Sequence, residues 1–299
     1  MPGTETRPLR AAVMMLLAVA FFSLMDAGLK VLSTHYPAFQ VAAIRGAASL
    51  PFVLAWALAT VGPRPLLRVR WSLHLLRAVI GIAMMASFVY ALRTLPLSTA
   101  YSIFFVAPLL VTALSVPVLG ERVGPRRWTA IGVGLLGVLV LLRPTGEGLL
   151  SLAALAVLLA ALMYAVSAIT VRVLARTDST QAMMVWLMAM MAGGSALLAW
   201  PDWTPVQVQH LWLILGIGIG GALGQYAVTE AFRVGEASMV APLEYTALVW
   251  GVLLDLAIWG VLPDAVTWIG AAIIVGSGLY LLRRERVRGA KPPDIVTTP

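Results

Sequence analysis

A chain of 299 residues that is 61% apolar and only 11% charged, with a mean hydropathy of +0.93, holds more apolar side chains than one water-soluble core can hide, so lipid must be part of its solvent. The formal charge of +8 would suggest nucleic acid in a soluble protein, but here the basic residues gather in short connections and at the termini, and no nucleic-acid partner is expected. The absence of cysteine excludes disulfides, thiolate metal sites and a cysteine nucleophile.

In chain order, apolar stretches at 11–33, 37–60, 72–93, 97–119, 126–142, 149–172, 179–200, 209–231, 237–260 and 265–283 read as membrane spans. Most reach the ~20 residues that cross ~30 Å of hydrocarbon at ~1.5 Å per residue; the fifth and tenth are short. The first lacks a small-residue cleavage site and is too long for a signal-peptide core, so it is expected to be retained. Ser98 or Thr99 is placed to cap the fourth span, and Asp178, Ser179 or Thr180 the seventh. Pro51, Pro108, Pro117 and Pro242 fall inside spans, where each frees a carbonyl and bends the helix. The expected architecture is an all-α membrane protein of ten transmembrane helices in two five-helix units, 1–143 and 144–283, followed by a disordered cytoplasmic tail at 284–299.

The second unit repeats the first. Ala91-Leu92-Arg93 with Ser98 returns 140 positions later as Ala231-Phe232-Arg233 with Ser238; Gly120 returns as Gly260, Trp128 as Trp268 and Leu141-Leu142-Arg143 as Leu281-Leu282-Arg283. Units of five spans must lie upside down relative to one another, and inverted repeats are the signature of alternating-access carriers. On this topology sixteen Lys and Arg fall on the side of the termini, against Arg93 and Arg143 on the other, which predicts cytoplasmic termini.

Charges inside spans are costly and so form the short list of functional candidates: Asp26, Lys30, Arg45, Arg77, Glu244 and Asp255. Asp26 and Lys30 are one turn apart, and Asp26 and Arg45 sit at similar depth, so either pair is available. Two readings stand for them: an ion pair locking spans 1 and 2, or an outer gate and handle for a zwitterion. Glu244 and Arg77 enter from the opposite end and are placed to meet across a cavity; Asp255, nearer the outer surface, is expected to be solvated. Ser87, Tyr90, Tyr101, Tyr164, Gln225, Tyr226 and Tyr245 offer ring faces and hydrogen-bonding tips to an amphipathic metabolite. Tyrosines and tryptophans near span ends are also common interface anchors, a role that suits Trp71, Trp128, Trp200, Trp203 and Trp212. Gly132-Val-Gly-Leu-Leu-Gly137 matches a dinucleotide fingerprint but lies in an apolar span with no strand before it, and the methionines of the seventh span read as packing or lipid-facing residues. His35, His74 and His210 lack ligand spacing, so neither a metal nor a cofactor is expected, and no nucleophile–base–acid constellation suggests an enzyme.

The stretch Tyr90 to Ala100, running through Pro108 to Gly120-Glu121-Arg122, and its second copy, Glu230 to Tyr245, resemble the repeat signature of the drug/metabolite transporter superfamily, EamA branch. Within that family the chain resembles the YddG-type amino-acid exporters. The resemblance implies ten helices, both termini inside, a central cavity lined by spans 1, 3, 4, 6, 8 and 9, and export of amino acids or related metabolites. The second unit departs from the pattern at Gly260-Val261, where the first has Gly120-Glu121. The resulting expectation is a monomeric, multi-pass carrier of the bacterial inner membrane. Its partners are a small amino acid or metabolite and membrane lipid, and Tyr101 stands at the outer constriction with Glu244 and Tyr245 at the inner one. The alternative cargo is a cationic amphipathic drug.

Overall fold

The computed structural model describes residues 8–119, 124–142, 151–174, 177–234 and 241–289, so Glu121, Arg143, Ser238 and the last ten residues of the expected tail lie outside the described residues. Among the described residues every regular element is helical. These are α1 (Pro8–Ser33), α2 (Ala38–Val61), α3 (Pro63–Leu67), α4 (Trp71–Leu92), α5 (Leu97–Phe104), α6 (Ala107–Leu119), α7 (Pro125–Leu142), α8 (Leu152–Leu174), α9 (Thr180–Ala199), α10 (Leu211–Val234), α11 (Ala247–Leu254) and α12 (Ala265–Gly289). A 3₁₀ run at Ala241–Thr246 leads into α11, and a π turn at Asp255–Trp259 follows it. Seven helical stretches are long and apolar enough to cross a membrane, and two shorter apolar helices, Trp128–Val140 and Ala265–Tyr280, accompany them. Helix is the form a spanning segment takes because it satisfies its backbone groups without water. The outward faces are as apolar as the interior: Leu75, Leu76 and Val79 of α4 and Leu135, Leu136 and Leu139 of α7 are all exposed. Such a surface is stable against lipid.

The helices pair reciprocally across the two halves. α1 lies along α10 and α4 along α8, while α2 packs on α9, α7 on α12 and α5 on α11. First against third, third against first, and like against like is the pattern of an approximate two-fold axis. Side chains repeat it at the α7–α12 crossing: a Cβ on Gly134 would meet Ser277 Oγ at 2.7 Å and one on Gly137 would meet Ile274 Cγ1 at 2.8 Å, and 277 and 274 are the repeat equivalents of 137 and 134. The α2–α9 crossing is closer still. A Cβ on Gly46 would stand 2.7 Å from the Ala192 backbone nitrogen, so the backbones touch as small-residue crossings in membranes allow.

The expected unbroken fourth and ninth spans are both interrupted. α5 stops at Phe104, residues 105–106 form a turn, and α6 begins at Ala107. Pro108 explains the place: inside a continuous helix its ring would collide with the carbonyl four residues back, whereas in the first turn of a new helix its missing N–H costs nothing. In the second half the 3₁₀ run contains Pro242 and gives way to α11 at the equivalent position. The two breaks touch, with the Phe105 and Tyr245 rings, themselves repeat equivalents, edge to face at 5.0 Å between centroids.

Short turns are fastened by side chains. Ser179 caps α9, accepting from the Ala182 N–H at 3.2 Å, as expected. Beside it the Asp178 carboxylate accepts from the Arg70 N–H at 3.0 Å, His74 Nε2 at 2.8 Å and Thr177 Oγ1 at 2.7 Å, tying the start of α4 to the start of α9. Burial alone would push this carboxyl up, but the hydrogen bonds from Thr177, Arg70 and His74 together hold it below the usual carboxylate range. At the opposite end Tyr36, buried, accepts the Gln207 N–H at 3.0 Å and shares a hydrogen bond of 2.7 Å with His210 Nδ1. The fourth span's cap differs from expectation: Pro96 occupies the N-cap without a side-chain bond, and the orphan N–H groups of α5 are met from the other half of the chain.

Two outcomes test this packing. Gly46→Val is expected to lower the stability of the detergent-solubilised chain by about 1–3 kcal/mol through overpacking at the α2–α9 crossing, read by thermal melting. Because the folded Asp178 carboxyl lies below its unfolded value of about 3.9, its contribution is complete above that pH and is lost as the pH falls through the lower folded value. Asp178→Asn is therefore expected to flatten the melting temperature below about pH 4 relative to the parent chain, while costing about 1–3 kcal/mol at neutral pH.

Candidate functional site

One end of the bundle is sealed by charged groups that cross between the halves. Asp255, with no exposed surface, lies where α11 gives way to the π turn and accepts four hydrogen bonds. Leu97 N at 2.9 Å and Lys30 Nζ at 3.3 Å reach Oδ1, and Ser98 N at 2.8 Å and Ser98 Oγ at 2.7 Å reach Oδ2. These fill the acceptor sites of a carboxylate, so Asp255 acts as the N-terminal cap of α5 from the far repeat. The expectation of a solvated Asp255 is thus corrected, as is that of an Asp26–Lys30 pair: Lys30 turns to Asp255 and lies 4.2 Å above the Trp259 ring. Gly251, one turn before Asp255, makes the approach possible, since a Cβ there would stand 2.9 Å from Tyr101 Cδ2 and 3.2 Å from Ser98 Cα. Within the first half, Arg93 donates to the Ser33 and Tyr36 carbonyls at 2.8 and 2.7 Å, beside the end of α1.

One turn inside, the Tyr101 hydroxyl donates to Asp26 Oδ2 at 2.9 Å, and the Arg45 charge faces Asp26 without forming a direct ion pair. Beyond Arg45 a small cleft runs from mid-depth toward the opposite end. It lies between α2, α4, α9 and α10 and is lined by Arg45, Ser49, Val53, Arg77, Met184, Leu187, Met188, Gly221 and Gln225. The Nε atoms of Arg45 and Arg77 are buried and lack a partner among the described residues. Arg77 Nη1 donates to the Met183 carbonyl at 2.8 Å, which satisfies one N–H and none of the charge. The lining includes no acid. Its helices are spans 2, 3, 7 and 8, which only in part are those the family resemblance implied.

The expected Arg77–Glu244 meeting is not made. Glu244 lies in the 3₁₀ run, next to Tyr245, whereas Arg77 turns to the Met183 carbonyl. Tyr164 packs edge to face on Phe104 at 5.4 Å, and the Tyr245 hydroxyl is buried with no partner among the described residues. Ser87 is half-buried on α4; Tyr90 and Tyr226, 43% and 45% exposed, do not line the cleft, and Tyr226 meets Trp56 edge to face. Four side chains have roles that the sequence reading does not give them: Ser98 donates to Asp255 and does not cap its own helix, Met184 and Met188 line the cleft where packing or lipid-facing positions are expected, and Ser49 joins them there. The signal for the methionine wall was present in the run Met183, Met184, Met188, Met190 and Met191.

The EamA-like transporter family matches residues 9–143 and again 151–283. The chain belongs to the EamA-like transporter family. It is therefore a multi-pass membrane transporter of the drug/metabolite superfamily and not an enzyme. A riboflavin transporter of Vibrio cholerae serotype O1 is 31% identical over 96% of this chain and 98% of its own length. A pseudopaline exporter of Pseudomonas aeruginosa is 28% identical over 93% and 98%, and an S-adenosylmethionine uptake transporter of Rickettsia prowazekii is 28% identical over 91% and 92%. A solved crystal structure superimposes with a TM-score of 0.64 over 94% of this EamA-like transporter and 99% of that chain, at 22% identity, which shows a shared fold.

Removing the Tyr101 hydroxyl leaves Asp26 without its neutral donor in an apolar setting. Tyr101→Phe is expected to cost about 1–3 kcal/mol in thermal melting, and Tyr101→Phe combined with Asp26→Asn less than the sum of the two single changes.

Proposed function

We propose that this EamA-like transporter is a secondary carrier that exports amino acids and related carboxylate-bearing metabolites by alternating access, with the Arg45–Arg77 cleft as the cargo site. The observation that carries the reading is two guanidiniums sharing one cleft, each with an unpaired buried N–H, and no acid among the lining residues. A cation in hydrocarbon short of counter-charge is costly: Asp26 offsets the Arg45 charge only through space and no acid acts on Arg77 among the described residues, so a cargo carboxylate supplies the missing charge in the paired geometry a guanidinium fits. Gln225 and Ser49 offer neutral hydrogen bonds beside it. Met184 and Met188 form an adaptable apolar wall opposite, suited to a cargo's side chain. The same charge balance removes support from a cationic-drug cargo.

The relatives named for riboflavin, pseudopaline and S-adenosylmethionine carry other metabolites, and their names include both uptake and export. Direction is therefore argued from this chain. With both termini in the cytoplasm, as the basic residues favour, and the two units inverted, the sealed end faces outward. The cleft then reaches toward the cytoplasm of a bacterial cell across its inner membrane, where an exporter loads. In this arrangement the touching breaks at Phe105 and Tyr245 are the pivots about which either half of a broken span swings, and Glu244 and Tyr245 belong to the inner constriction. A monomer suffices, because both halves of the cleft come from one chain.

Counterflow in proteoliposomes tests the reading with a panel of amino acids, their primary amides and riboflavin. Amino acids are expected to exchange and their amides to compete at least tenfold less well. Arg45→Gln and Arg77→Gln are expected to raise KM about 10–100-fold, the equivalent of one charge-assisted hydrogen bond of about 1.5–3 kcal/mol. Equal exchange of acids and amides, or riboflavin flux untouched by both substitutions, would overturn the cargo assignment. Absence of saturable flux for the whole panel would overturn it as well.

A further inference from the structure

We infer that Asp255 and Lys30 form a latch: Asp255 is a positioning residue for transport that holds one mouth of the carrier shut by capping α5 across the repeat boundary, whereas the opposite end is tied across the repeats by a different pair, Arg10–Glu230 at 2.8 Å, whose acid is not the repeat equivalent of Asp255. The inference needs only that the transporter alternates between two openings and is independent of the cargo assigned above.

Three observations point to it. First, the cluster joins elements of the two repeats. Lys30 belongs to α1 and Leu97 and Ser98 to α5, all in the first half, whereas Asp255 and Trp259 belong to the second. No covalent or secondary-structure constraint holds these elements together, so opening this mouth means pulling α11 from α5 and exposing the carboxylate. Second, the contact is built on interrupted helices. α5 is an eight-residue piece isolated from α6 by the break at 105–106, and Asp255 begins a π turn that ends at Gly260 in the left-handed conformation, φ 66°. Such local irregularities give a spanning helix a place to bend. Third, the fold's symmetry does not demand the acid. The 140-residue repeat sets position 115 against 255, and residue 115 is a serine. A residue required to build the five-helix unit would be needed in both copies. A residue that biases which mouth is closed is needed in one.

The physics fits a latch better than a permanent weld. While the mouth is dry, the carboxylate has four donors and the ammonium has a carboxylate and a ring face. Removing any of them leaves a buried charge short of partners, which keeps the closed state well populated. Once water enters with the opening motion, the same groups are hydrated and the penalty of separating them falls. The latch is therefore strong when shut and weak when wet, a bistable element whose bias can be tuned by substitution.

The chain has no native cysteine, so single cysteines report each mouth without a background. Ser102→Cys, buried on α5 one turn below the latch, reports the sealed mouth, and Met184→Cys in the cleft reports the opposite side. Each is placed in the full chain with and without Asp255→Asn, and labelling by a water-soluble maleimide is timed in detergent. Asp255→Asn keeps an acceptor for the α5 N–H groups but loses the ionic pair. It is expected to raise the labelling rate at 102 and lower it at 184, each by about tenfold, as a shift between two openings requires. Lys30→Met leaves the cap on α5 untouched and is expected to move the two rates in the same directions by a smaller factor. Asp255→Glu is expected to restore the parent pattern in part. Rates that rise together at both positions, as in a loosened fold, or that stay unchanged with Asp255→Asn and Lys30→Met, would overturn the inference.

Discussion

A charge inside lipid must find its partner from the protein, and that requirement decides which helices of this transporter can touch. Asp255 is the clearest instance. Its carboxylate needs several donors, its own helix has none to give, and the unsatisfied N–H groups at the start of α5 need an acceptor that Pro96 cannot supply. Each deficiency answers the other. The result fixes the contact of the fourth span with the ninth, draws Lys30 of α1 into the same place, and requires Gly251 so that the backbones can close. Apolar packing alone gives no such register, because lipid tails compete on equal terms with Leu and Val side chains.

The backbone is close to two-fold symmetric while the charges are not. Reciprocal pairing, the equivalent breaks and the mirrored contacts of Gly134 and Gly137 all obey the axis. Lys30, Asp255, Arg45 and Arg77 are distributed without regard to it. A symmetric scaffold supplies two openings of similar energy, and asymmetric charges then choose between them and give the cleft its sign. Carriers need both features: a scaffold that favoured one opening strongly would not cycle, and a fully symmetric set of charges would not distinguish inside from outside.

Much of this could be read from residues alone. Long apolar stretches gave helices because no other spanning form was available to them, and the 140-residue repeat placed the halves in register before any coordinate did. The cap of α9 by Ser179 was legible because capping is local. Not legible were the partners of Lys30 and Arg77. Asp26 and Lys30 are neighbours on one helix, which suggests a pair, yet the interaction available to Lys30 across 225 positions is better, since Asp255 offers an already anchored carboxylate and Trp259, one turn on, a ring face. Depth along a helix can be counted from sequence, but the azimuth of one helix relative to another cannot, and pairing depends on both. The same limit explains Arg77. Its depth matched that of Glu244, but its guanidinium faces α9 and the Met183 carbonyl. The helix breaks were half legible, because Pro108 and Pro242 marked them without saying whether each would bend the helix or end it.

The cleft and the sealed end are joined by a series of neighbouring groups, in contact at every step but the first, where Arg45 and Asp26 interact through space without a direct ion pair. Arg45 faces Asp26; Asp26 holds the Tyr101 hydroxyl; the Tyr101 ring rests on Gly251; and Gly251 lies one turn from Asp255. Arg45 thus has two possible claims on its charge, Asp26 above it and whatever anionic group enters the cleft below. On the proposed cargo assignment, a guanidinium shared between them would attract Asp26 less than one that serves Asp26 alone, and the Asp26–Tyr101 contact, and through it the seating of α5 against α11, would respond to occupancy of the cleft. Contacts of this kind carry coupling only where they end on an element with two discrete positions. The broken fourth and ninth spans, meeting at Phe105 and Tyr245, are the part of this structure built to have them.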